Sequence, residues 1–109
     1  MKILLASLLL FMSFSSNALT GNELYEKFNE FKKEPITSFV KAGHFQGYVI
    51  GVIDVYVKAG VLCWPDGAIN GQAFDIVGSH LKDNAGVRHL NAVYLVVEAL
   101  EDIFICEEE

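Results

Sequence analysis

Gly47-Tyr48-Val49-Ile50-Gly51-Val52-Ile53-Asp54-Val55-Tyr56 is the stretch on which the fold turns. Its β-branched content permits a strand. Strict alternation fails at Val49-Ile50 and again at Val52-Ile53, so the period favours a helix. On a helix, Gly43, Gly47 and Gly51 stand four residues apart and share one face. Three glycines in a helix interior cost roughly 1 kcal/mol each against alanine, so tertiary packing has to recover that energy. The expectation is a tight helix–helix contact inside the domain along Gly43, Gly47 and Gly51. A membrane dimer motif is disfavoured, because Lys41, His44, Gln46, Asp54 and Lys58 interrupt the apolar run.

Working outward, three more helices are predicted. Thr20-Gly21-Asn22-Glu23 has the form of a capping box, and Leu24, Phe28 and Phe31 follow at helical spacing. Lys32-Lys33 suit the C-terminal end of that helix. After Pro35, Thr37 or Ser38 can cap the central helix, with Phe39, Phe45, Val49, Val52 and Tyr56 as its buried positions. Trp64-Pro65-Asp66-Gly67 fits a turn with proline second and glycine fourth. Asn70 can cap a third helix carrying Phe74, Val77 and Leu81, and Asp83-Asn84-Ala85-Gly86 breaks it. Leu90, Val93, Tyr94, Val97 and Leu100 mark the fourth. The fold class is therefore all-α: a small single-domain bundle of four main helices, near residues 21–33, 38–59, 71–83 and 87–104, with one disulfide.

Residues 1–18 read as a secretory signal peptide. Lys2 supplies the positive start, Ile3 to Phe14 the apolar run, and Ser16-Asn17-Ala18 a cleavage site after Ala18. The run is too short for a spanning helix. The mature chain, residues 19–109, is one domain. Without Lys2, seven Lys and Arg face 14 Asp and Glu, a net charge of −7. Such a surface disfavours nucleic acid and anionic membrane and favours basic partners. In an exported chain, two cysteines point to a disulfide, here Cys63 to Cys106. The loop of about 43 residues gives that bond roughly 4 kcal/mol in the chain-entropy model.

No nucleophile-elbow, zincin, Walker or dinucleotide motif occurs. His44, His80 and His89 have no ligand spacing, so no metal or cofactor is expected. Ser79 lies in a helix without an oxyanion device, and Asp54 has no second acid in sequence. The residues describe a small exported acidic helical domain with no arrangement for catalysis. Trp64, the one tryptophan, is either a cap on the local core or an interface anchor. Asp66, Asn70, Gln72 and Asp75 lie close by in sequence as a candidate polar rim.

A resemblance adds to this. From Gly21-Asn22-Glu23-Leu24 onward the chain carries Gly47-Tyr48-x-x-Gly51-x-x-Asp54, Cys63-x-Pro65-x-Gly67, Gln72, Asp75-x-Val77 and Arg88-His89. Ala92-x-x-Leu95-Val96-x-x-Ala99-Leu100 and a closing Cys106 follow. In this order the pattern resembles the Rap/Tai family of type VI secretion immunity proteins. The resemblance implies a small periplasmic helical protein that binds and occludes an injected cell-wall-degrading effector, typically a peptidoglycan amidase. It also implies a homodimer, and makes Cys63 and Cys106 the family's second disulfide pair. The family usually carries another cysteine pair where this chain has Phe28 and Phe45. Losing both together fits replacement of that disulfide by an aromatic contact. The competing reading is a small periplasmic acid-stress chaperone or adaptor, which size, export and one disulfide would also suit.

Overall fold

The structure is a computed structural model that describes residues 18–107. Residues 1–17, most of the expected signal segment, and Glu108 and Glu109 of the acidic tail lie outside the described residues. Four α-helices make the domain: α1, Gly21–Phe31; α2, Phe39–Lys58; α3, Asn70–Asp83; and α4, Ala92–Glu101. A single turn of 3-10 helix, Ala85–Val87, joins α3 to α4. No strand occurs among the described residues beyond an isolated bridge of Thr20 with Asn91. No helix among them is long and apolar enough to cross a membrane.

The helix ends follow local chemistry. Thr20 and Glu23 form the reciprocal capping box of α1. Ser38 caps α2 by accepting the Lys41 N–H. Gly60, at φ +78°, stops α2, a conformation that costs glycine little. The Gly60 N–H donates to the Val57 carbonyl and the Val61 N–H to that of Tyr56, which satisfies two of the last carbonyls of the helix. The start of α3 differs from expectation. Asn70 is the first helical residue, Ile69 stands at the cap, and no side chain bonds to that end.

The core lies where the helices meet. Leu24, Phe45, Val49, Val52, Phe74, Val77 and Leu81 are buried as their spacing predicts, joined by Leu62 and Phe104 from the connections. Phe28, Phe31, Phe45 and Phe74 form one aromatic cluster in which each ring contacts at least one other at 5.2–5.8 Å. Phe39 is an exception at 78% exposed. It opens α2 immediately after the cap. The buried face there is carried by Ala42 and Phe45 instead.

α4 is shorter than predicted, and of its predicted stripe only Leu100 is fully buried. Ala92, Leu95, Val96, Ala99 and Leu100 face the core, whereas Leu90 and Tyr94 are exposed and Val93 and Val97 half-buried. Residues 92–100 are apolar almost all round, so periodicity alone does not select a face.

The glycine expectation needs correction. A Cβ built on Gly43, Gly47 or Gly51 would meet nothing within 4 Å, and all three residues are exposed. No helix among the described residues packs there. The close approaches occur at Gly21, where a Cβ would strike the Leu95 side chain and the Arg88 carbonyl, and at Gly78, where it would enter the Phe28 ring. α2 instead packs through Ala42, Phe45, Val49, Val52 and Ile53 on its opposite side.

Candidate binding surface around Trp64

Cys63 and Cys106 are disulfide-bonded with Cα atoms 4.9 Å apart, and the Cys63 N–H donates to the Phe104 carbonyl at 2.8 Å. This closure holds the segment after α2 against the end of the chain. The hydrogen-bonded turn that follows is Pro65–Ala68, one residue later than predicted, because Gly67 takes φ +84° at its third position.

Trp64 is half-buried between these restraints. Its indole N–H donates to the Ala68 carbonyl at 3.0 Å, and its ring meets Phe104 nearly edge-on at 4.8 Å. Trp64 therefore caps the local core. It also lines a concavity of about 300 Å³ with Ile50, Ile53, Asp54, Val57 and Lys58 of α2 and Asn70 of α3. The floor is apolar, and one carboxylate, one ammonium and one amide surround it.

Of the predicted rim, only Asn70 reaches this concavity with Trp64. Asp66 and Gln72 are exposed in the same segment but do not line it. Asp75, a turn further along α3, lies in a different hollow with Ser79 and His80, and Lys32 of α1 pairs with it at 3.2 Å. Asp54 and Lys58 were not among the predicted contacts. They belong to a helix distant in sequence, and only the i, i+4 spacing of the two charges hinted at a shared place.

No second carboxylate lines the concavity with Asp54. His80 contacts Asn84 at 3.3 Å and approaches Glu98 to 3.7 Å, with no hydrogen bond to Ser79. Among the described residues no group of three or more His, Cys, Asp or Glu could hold a metal ion. Among the described residues the one strongly shifted acid, Glu30, is structural. Lys33, the Thr37 hydroxyl and the Ser38 N–H hold its carboxyl at about 2.

The family model described as Rap1a immunity proteins matches residues 20–106. The chain belongs to the Rap1a immunity protein family. No curated protein matches it. The match spans all four helices and ends on Cys106, so the disulfide and the Trp64 concavity both lie within the family domain.

Proposed function

We propose that this chain is a periplasmic immunity protein of type VI secretion, which binds and occludes an amidase-type effector that cuts the cell wall. Membership of the Rap1a immunity family over residues 20–106 carries this reading. The signal-like segment ending at Ala18 and a disulfide suited to an oxidising compartment support export. Inhibition requires coverage of the effector's cleft and no chemistry by the inhibitor. The contact surface we assign is the Trp64 concavity, with Asp54, Lys58 and Asn70 around it and Asp66 and Gln72 at its margin; Asp75 stands further out. The excess of carboxylates would speed encounter with a basic effector, an effect that fades with salt. The reading includes a homodimer, which the family resemblance implies.

Tagged mature chain recovered from periplasm, with mass spectrometry of what it holds, tests the proposal. A cell-wall hydrolase bound in a fixed ratio, and inactive on peptidoglycan while bound, is the expected result. Recovery of many unrelated unfolded proteins, increasing in acid, would favour a stress chaperone instead.

A further inference from the structure

We propose that the groove between α2 and α4 takes an arginine-bearing apolar stretch of the partner's polypeptide, with the arginine held by Tyr94, Glu98 and Glu101. This deepens the reading above: it gives the same protein effector a second contact, apart from the Trp64 concavity.

Two hollows make the groove. One, of about 500 Å³, is lined by Tyr48, Val52, Val55 and Tyr56 of α2 and Val93 of α4, with the bare backbone of Gly47 and Gly51 in its wall. The other, of about 430 Å³, is lined by Tyr56, Tyr94, Val97, Glu98 and Glu101. Tyr56 belongs to both, so the two adjoin there. On α4 the lining runs from Val93 to Glu101 along one face, a length of about 12 Å. That accommodates about four extended residues. The Trp64 concavity uses a different flank of α2, through Ile50, Ile53, Asp54, Val57 and Lys58.

The groove is apolar at one end and acidic at the other. Val55 and Tyr94 are each 63% exposed, so bulky side chains stand open to a partner. Tyrosine is among the residues that carry most of the energy of protein interfaces, because it joins a large apolar body to a polar tip. Glu98 and Glu101 supply negative charge, and no Lys, Arg or His lines either hollow. Among the described residues Glu101 takes part in no salt bridge, and Glu98 only approaches His80, at 3.7 Å. A guanidinium answers both features, stacking on a tyrosine ring and donating to carboxylates. An acidic segment would meet like charge there.

A second copy of this chain lacks what the groove asks for. Arg88 is the one arginine in the sequence, and it is already held over the Tyr25 ring, 4.2 Å from its centre. Lys32, Lys33 and Lys41 are paired with Asp75, Glu30 and Glu26. The arginine therefore has to come from another protein.

NMR titration of mature chain 19–109 tests this, with circular dichroism as folding control. The probes are a short end-blocked peptide of leucines ending in two arginines, and its counterpart with glutamates for the arginines. The arginine peptide should shift the ring resonances of Tyr48, Tyr56 and Tyr94 and leave the Trp64 indole unmoved. Its affinity should fall with salt. Tyr94→Ser should weaken it about tenfold. Glu98→Lys with Glu101→Lys should weaken it by at least as much and turn the preference toward the glutamate peptide. Equal binding of both peptides by the wild type would overturn the proposal, as would tyrosine resonances unmoved at about 1 mM peptide. Tyrosine shifts that follow the chain's own concentration without peptide would give the groove to a second copy and overturn it too. No effector is present in these titrations. Their failure would leave the immunity role standing on the Trp64 concavity, and failure of that role would leave the peptide result unchanged.

Discussion

The rings of Phe28 and Phe45 lie 5.2 Å apart at 57°. They occupy the positions where the resemblance expects a pair of cysteines, and they bring α1 and α2 together by contact rather than by a bond. Phe45 is fully buried and also touches Phe31 and Phe74. Phe45→Ala should therefore cost about 3–5 kcal/mol, and Phe28→Ala less, since Phe28 is only half-buried. Urea unfolding monitored by circular dichroism gives both values. Equal and small losses would show that the aromatic cluster does not secure this pair of helices.

The glycines should separate by location. Gly21→Ala forces a Cβ toward the Arg88 backbone carbonyl, which cannot swing aside, and should destabilise by about 1–3 kcal/mol. Gly47→Ala meets nothing among the described residues and should raise the stability of the monomer by up to about 1 kcal/mol through helix propensity. Denaturant midpoints at concentrations where the chain is monomeric check both signs.

Glu30 makes part of the stability acid-labile. Its carboxylate accepts the Thr37 N–H at 3.1 Å, the Ser38 N–H at 2.6 Å and the Thr37 hydroxyl, and pairs with Lys33 at 2.7 Å. With the folded-state value lowered from 4.5 to about 2, its contribution is fully present above 4.5 and disappears as pH falls toward 2. The melting temperatures of wild type and Glu30→Gln should therefore differ most near neutral pH and converge at about pH 2. A constant difference across that range would assign the effect to packing.

Trp64 cannot be removed without disturbing the fold, because its ring rests on Phe104. Trp64→Ala should cost about 3 kcal/mol of stability. Trp64→Phe keeps an aromatic ring there and loses the bond to the Ala68 carbonyl, at about 1 kcal/mol. For recognition, Lys58→Glu and Asn70→Ala are the cleaner probes. Both residues are exposed and line the concavity, so each should weaken capture of the periplasmic partner while leaving the melting temperature nearly unchanged.

The disulfide should contribute about 4 kcal/mol, given the 43-residue separation it closes. Thiol titration of unfolded, unreduced protein should find no free cysteine. Reduction should lower the urea midpoint without abolishing the helices, whose core contacts do not pass through the bond.

Sequence alone determined what depends on neighbours along the chain. The Thr20–Glu23 box, the Ser38 cap, the break after Asp83 and the buried faces of Phe45-Val49-Val52 and Phe74-Val77-Leu81 follow from side-chain chemistry and helical period, and all appear in the structure. Cysteine count determined the disulfide, and the ordered motifs determined the family. Tertiary structure decided what depends on which helix lies opposite. α4 is apolar on nearly every side, so its buried stripe was selected by the helices that lie against it. Gly21 and Gly78 are the close-packed glycines because α4 and the Phe28 ring reach them, whereas the regular row on α2 turns outward. The Trp64 concavity draws Asp54 and Lys58 from α2, and no local pattern encodes that meeting, because the packing of separate helices creates it.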